Sequence, residues 1–167
     1  NTFINDVSIA PLRSYAFSVW SPVNATFENI TSIESPTNDA NRGYAFLQLD
    51  TDSVAGTCAQ IKTNTGYTCS SSIRNSLFIN GKAFGMYKII GSWSVDHVNS
   101  YNNAFGNYTP SETINDTTGD IQNSLSVAPT GMGAGAGQCM VYVPQTSNMH
   151  GAGKNGADIG ANVLYRY

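Results

Sequence analysis

Charge is what this 167-residue sequence has least of. Only 11% of its residues are charged, 8 basic against 11 acidic, for a net charge of −3. Nucleic acid is held through many cationic contacts to phosphate, so a chain without a basic stripe is not built for that partner. Long apolar runs are missing too. Nothing approaches the roughly 18 residues of a membrane-crossing helix, and no membrane span is expected. Glu, Lys and Leu are scarce, whereas Asn occurs 18 times amid abundant Ser, Thr, Gly and Tyr. Poor helix formers and good strand and turn formers dominate, which predicts an all-β chain with an extracellular or cell-surface location. The sequence opens on "NTFINDVSIA" with no initiating Met or signal segment, so a processed or partial chain is expected.

Cysteine is scarce as well, with 3 copies. Cys58 and Cys69 bracket "AQIKTNTGYT", and a disulfide between them is expected to staple a polar excursion. With no CxxC pair and no clustered histidine, neither a metal site nor a cofactor is expected. Cys139, in "QCMVYVP", reads as a buried strand residue.

What the sequence does have is a repeated spacing. Phe27, Ile73 and Val95 fall in one column, followed by Glu28, Arg74 and Asp96, then by Asn29, Asn75 and His97. Five residues after the first column stand Ser32, Phe78 and Ser100. Upstream of each copy lies another strand-like run: "YAFSVW", "YAFLQL" and "FGMYKI". Apolar residues alternate over short runs instead of recurring at three and four, which excludes a helix. A spacing that translates without reflecting predicts strands paired in parallel, coil upon coil. Asn suits the turn column because its side chain tolerates a left-handed backbone, and stacked amides can bond from coil to coil. The alternative is an antiparallel β-sandwich, which would put the repeat columns in different sheets. Ile73 and Val95 must be adjacent and parallel for the coils to stand.

The pattern Ile73-x-Asn75-x-x-Phe78-x-Asn80-Gly81, with its two echoes, resembles the right-handed parallel β-helix proteins of the pectate-lyase-like superfamily over roughly residues 3–103. The resemblance implies a β-solenoid of about three coils over residues 1–103, with an insertion loop at 51–68. Residues 104–167 would form an irregular Gly-rich segment ending in the strand "GANVLYRY". The core should include Phe17, Val19, Phe46, Ile73, Phe78, Met86, Val95 and Val98, with Trp93 also facing inward.

Residues beside an inward column point outward, so Glu28, Arg74 and Asp96 form an outward column. Lyases of the β-helix family use an Arg or Lys base beside acids that bind calcium or neutralise a uronate. The resemblance therefore makes Arg74, Asp96 and Lys88 catalytic candidates. The plainer reading is a cross-strand ion pair worth a few tenths of a kcal/mol (~0.2–1). The family's calcium-binding acid clusters are absent from the sequence. His97 reads as a turn residue stacked on Asn75, and His150 has no visible partner. Gly151-x-Gly153-x-x-Gly156 matches a dinucleotide fingerprint in letters, but lacks the flanking strand and helix and reads as a loop, as does "GMGAGAGQ". Glycosylation sequons stand at Asn24, Asn29, Asn107 and Asn115. Asn107 and Asn115 are the expected acceptors, with Asn24 a further candidate, since Asn29 belongs to the turn ladder. Tyr87 and Tyr101 are candidates for an exposed sugar-stacking platform.

Two functions follow. One is an extracellular structural or adhesive protein that continues through its terminal strands, into another copy or a longer chain, and contacts polysaccharide. The other is a polysaccharide lyase. The first is preferred because Lys, Arg and calcium-binding acids are so few. A Cys58–Cys69 bridge closes a loop that should contribute on the order of 2–3 kcal/mol. Intact mass before and after reduction should differ by two hydrogens; two free thiols in the native protein would rule the bridge out.

Overall fold

A computed structural model describes residues 2–9, 17–20, 24–33, 45–49, 63, 66, 70–88, 92–109, 114–115, 119–132 and 141–161. Among the described residues the strands are β1 (Thr2–Ile4), β2 (Val7–Ile9), β3 (Phe17–Trp20), β4 (Ala25–Glu28), β5 (Thr31–Ile33), β6 (Phe46–Leu49), β7 (Ser70–Ile79), β8 (Met86–Lys88), β9 (Ser92–Tyr101) and β10 (Ile121–Gln122). They form a 7-stranded and a 3-stranded sheet, and the chain passes back and forth between the two. Every strand pair is parallel. The fold is all-β, and its curled parallel sheet is consistent with a β-solenoid. The antiparallel sandwich is excluded, because Ile73 pairs with Val95 in parallel register.

The register reproduces the sequence columns and extends them. Phe27 pairs with Ile73 and Ile73 with Val95, while Phe3 joins at one end and Ile121 at the other. In the smaller sheet Phe17, Phe46 and Met86 stand in line. These columns meet in one core of Phe27, Ile30, Phe46, Ile73, Phe78, Met86, Trp93, Val95, Val98 and Ile121, with Phe17 packed against it. Phe46 ties the two sheets together. Its ring lies 5.1 Å from Phe27 in an edge-on contact and 5.7 Å from Phe78. Val19 lies in β3, but its side chain is outside the description.

The first half of β7 alternates as a strand covered on one face should, with Ser71 and Ile73 buried and Ser72 and Arg74 half-buried. Past Asn75 the alternation stops, and Leu77, Phe78 and Ile79 are all buried. Here the outer face is covered as well. Residues 141–161 fold back so that Val141, Val143, Met149 and Ile159 pack on Ile33, Leu77 and Ile79 in a second core. Gly160 N donates to Asn75 O at 2.8 Å, and Ala161 N to Thr31 Oγ1 at 2.7 Å.

Cys58, Cys69, Cys139, most of the 51–68 loop, residues 133–138 and the terminal "NVLYRY" lie outside the described residues. Replacing Phe46 by Ala should lower unfolding free energy by about 3–5 kcal/mol, because it opens a cavity where both sheets meet. Urea denaturation measures this, and a loss below about 1 kcal/mol would contradict the assigned core.

Candidate functional site

The bends of this chain are made by asparagine. Of the non-glycine residues with positive φ among the described residues, nine are Asn and the tenth is His97. Five form a single column: Asn5 (φ 59), Asn29 (φ 54), Asn75 (φ 50), His97 (φ 54) and Asn123 (φ 49). Each turns the strand just after the outward column of Ile4, Glu28, Arg74, Asp96 and Gln122. Other side chains would meet the following carbonyl in this conformation at a cost of roughly 1–2 kcal/mol. The sequence pattern identified the middle three. Asn5 and Asn123 carry the same signal, Phe3-x-Asn5 and Ile121-x-Asn123, and it went unread.

Within this column the amides of Asn29 and Asn75 turn to the returning C-terminal segment, whereas Asn123 bonds to Asp96 on the neighbouring strand. Asn29 Nδ2 donates to Gly160 O at 3.1 Å, and Asn75 Oδ1 accepts from Lys154 N at 2.7 Å. Gly153 is required there, since a β-carbon would come within 2.7 Å of both Asn75 Oδ1 and Ala157 O. Amide-to-amide bonding occurs at the next bend, where Asn102 Nδ2 donates to Asn80 Oδ1 at 2.8 Å. The turn at Lys154–Gly156 is a short 3-10 segment, in keeping with the loop reading of "GAGKNG".

Beside the column lies a cleft of about 390 Å³ lined by Glu28, Arg74, Asn75 and residues 154–157. Arg74 donates to Glu28 Oε2 at 2.8 Å, and this bond is the main reason its guanidinium is held above the ordinary value. Asp96 bonds elsewhere. Its Oδ2 accepts from Lys154 Nζ at 2.8 Å, and its Oδ1 from His97 Nδ1 at 2.6 Å and Asn123 Nδ2 at 3.0 Å. Burial pushes this carboxyl up, but those hydrogen bonds outweigh burial and bring it down to about 2. Lys88 is on the smaller sheet, pairs with Asp120 at 3.1 Å and sits 5.2 Å from the Trp93 ring centre. The structure thus places Arg74 and Asp96 in neighbouring outward positions, each with its own partners, and Lys88 on another sheet.

His150 does have a partner, contrary to the sequence reading. Its Nδ1 is 2.8 Å from Asp158 Oδ1, which also accepts from Gly151 N at 2.9 Å. Nothing local announces Lys154 either, since it reaches Asp96 across 58 residues of chain.

Among the sequons, Asn24 is exposed and accepts from Ser70 Oγ at 3.2 Å. Asn115 is exposed too, although its amide brackets Ser124 with bonds of 2.9 and 2.8 Å. Asn107 is half-buried, with its Oδ1 accepting from Asn103 Nδ2 at 3.0 Å. Asn29 is held against the C-terminal segment. Tyr101 packs on the second core, so it is no free platform, whereas Tyr87 stacks on Phe84 at 4.9 Å. Among the described residues no group of three or more His, Cys, Asp or Glu could hold a metal ion. Among the described residues no helix is long and apolar enough to cross a membrane.

No family model, curated protein or solved structure matches the chain.

Because the Asp96 carboxyl is depressed when folded, its contribution to stability is complete above its unfolded value of about 4 and is lost as pH falls toward 2. Asp96→Asn should cost on the order of 1–2 kcal/mol at neutral pH. It should also flatten stability between about pH 4 and 2. Urea midpoints across that range give the answer, and parallel curves for the two proteins would show that Asp96 is not so held.

Proposed function

We propose that the chain is a segment of a right-handed parallel β-helix, related in architecture to the pectate-lyase-like superfamily. Its role is that of an extracellular structural or adhesive module that joins to a second copy, edge to edge. The observation that carries this reading is the outer edge of β1 and β2. Both strands end the large sheet among the described residues, and Phe3 (42%), Ile4 (55%) and Val7 (38%) are exposed there. An apolar parallel edge is a template for another strand. The edge also continues the interior column, for Phe3 stacks on Phe27 with ring centres 4.8 Å apart and planes 5° from parallel. Asn5 already has the bend that every later strand of the column makes.

At the other end, β10 pairs with Val95 and Asp96 of β9, the segment after it continues along β9 through Leu125, and Val127 is exposed beyond. A head-to-tail contact between these ends repeats the pairing found inside the molecule, and an interface of that kind leads to open filaments. The lyase reading draws no comparable support. A proton-abstracting base has to be free at the substrate, whereas Arg74 is bonded to Glu28 and Lys88 to Asp120.

Sedimentation at rising concentration tests the assignment. The native chain should associate, and Ile4→Lys should shift the association midpoint at least about tenfold, since it puts a charge on the pairing edge. A native protein that stays monomeric at millimolar concentration overturns the reading. So does cleavage of polygalacturonate that Arg74→Ala abolishes.

A further inference from the structure

We propose that Asn155 is a self-modification site, where the side-chain amide is lost to give mainly isoaspartate, and that the change unfastens the C-terminal segment from the Asn75 bend. The chemistry is independent of strand-edge association.

An asparagine followed by glycine can close a five-membered imide ring, because the next backbone nitrogen carries no side chain to obstruct it. That nitrogen bonds to the asparagine Cγ, its proton passes to solvent, and the amide group departs as ammonia. Water then opens the ring at either carbonyl. One opening leaves aspartate. The other leaves isoaspartate, whose main chain runs through the former side chain and is one carbon longer. The sequence has two such pairs, Asn80-Gly81 and Asn155-Gly156. Both asparagines are left-handed, with φ of 63 and 59.

Their surroundings differ. Gly81 is buried, and its nitrogen, the atom that would have to attack, donates to Asn103 Oδ1 at 2.7 Å. The Asn80 amide is engaged as well, with its Oδ1 accepting from Asn102 Nδ2 at 2.8 Å. Asn155 and Gly156 are both exposed. Gly156 N is held by a longer bond, 3.2 Å to Gly153 O. Ring closure needs the peptide between them to swing away from its ψ of 28° at Asn155. Room exists for this, since a β-carbon on Gly156 would have nothing within 4 Å. The 155–156 peptide can turn in place, whereas Asn80 has to wait for local opening of its bend.

The turn that carries Asn155 is also where the returning segment is fastened. On one side of it, Lys154 N donates to Asn75 Oδ1 at 2.7 Å and Lys154 Nζ to Asp96 Oδ2 at 2.8 Å. On the other, Ala157 O accepts from Gly153 N at 2.7 Å. Gly153 has no slack, because a β-carbon there would come within 2.7 Å of Asn75 Oδ1. An extra main-chain carbon at 155 lengthens the path between Gly153 and Ala157 and pushes these bonds apart. Lys154 N then leaves Asn75 Oδ1. Gly160 N, bonded to Asn75 O at 2.8 Å, is loosened with it.

Incubation of the full chain at mildly alkaline pH, read by peptide mass mapping and by enzymatic methylation of isoaspartate, tests the site. A free peptide of residues 151–160 serves as the clock. Asn155 in the folded chain should convert at least about tenfold faster than Asn80, and Asn155→Gln should stop the reaction there. In the isoaspartyl form, amide hydrogen exchange at Lys154 and Gly160 should be at least about tenfold faster than in the native chain. Freshly prepared Asn155→Asp carries the new charge without the extra carbon, and should exchange as the native chain does. The site is overturned if Asn155 is intact once the free peptide has fully converted, or if Asn80 converts within about tenfold of its rate. Native exchange in the isoaspartyl form overturns the unfastening. Equal acceleration in Asn155→Asp overturns it too, since charge alone would then be the cause.

Discussion

A strand can stack on its copy in parallel only if the chain turns at the same place each time, and here that turn is a left-handed residue with a side chain. Asparagine meets the need at Asn5, Asn29, Asn75 and Asn123, and His97 takes the remaining position. The bend separates the two halves of β7 and β9, so that residues before it face one environment and residues after it another. It sets the outward column on one side and releases Leu77 and Ile79 to a second core on the other. Glycine would make the same turn but has no amide. Asn29 and Asn75 use theirs to hold the backbone of the returning segment, which is how one residue type serves both the bend and the closure of the molecule.

The charged residues work in the same way. With so few of them, most of those described are placed where a specific contact uses them. Arg74 and Glu28 bridge neighbouring strands across 46 residues of sequence. Asp96 gathers donors from its own bend, from the next strand's bend and from Lys154, so three stretches of chain converge on one carboxylate. Such a group anchors backbone; a reacting carboxylate would need open coordination sites that Asp96 has given to its partners.

Parallel register made the columns legible in the sequence. Like residues stack on like positions, so Phe27, Ile73 and Val95 could be aligned without any structure, and the inward direction of Trp93 followed from period two. Asn5 and Asn123 were equally legible, but their strands are short and carry little pattern beyond the three-residue signal. The C-terminal segment was not legible at all. It has no period, its glycines admit many paths, and its bonds to Asn29, Thr31 and Asn75 join residues from 79 to 131 positions apart. The partner of His150 was hidden for a different reason: Asp158 lies only 8 positions on, across a glycine turn whose direction no local propensity fixes.

The distance between Asn29 and Gly160 along the chain has a kinetic meaning. Contacts of high sequence separation form late, after loop closure has been met at a large entropic cost. During synthesis, β5 and β7 emerge long before the segment that covers them. Until Ile159 arrives, the outer surfaces of Ile33, Leu77 and Ile79 are bare strand, and a nascent chain in that condition is open to sticking to its neighbours. Residues 141–161 are therefore the ones that end the vulnerable interval.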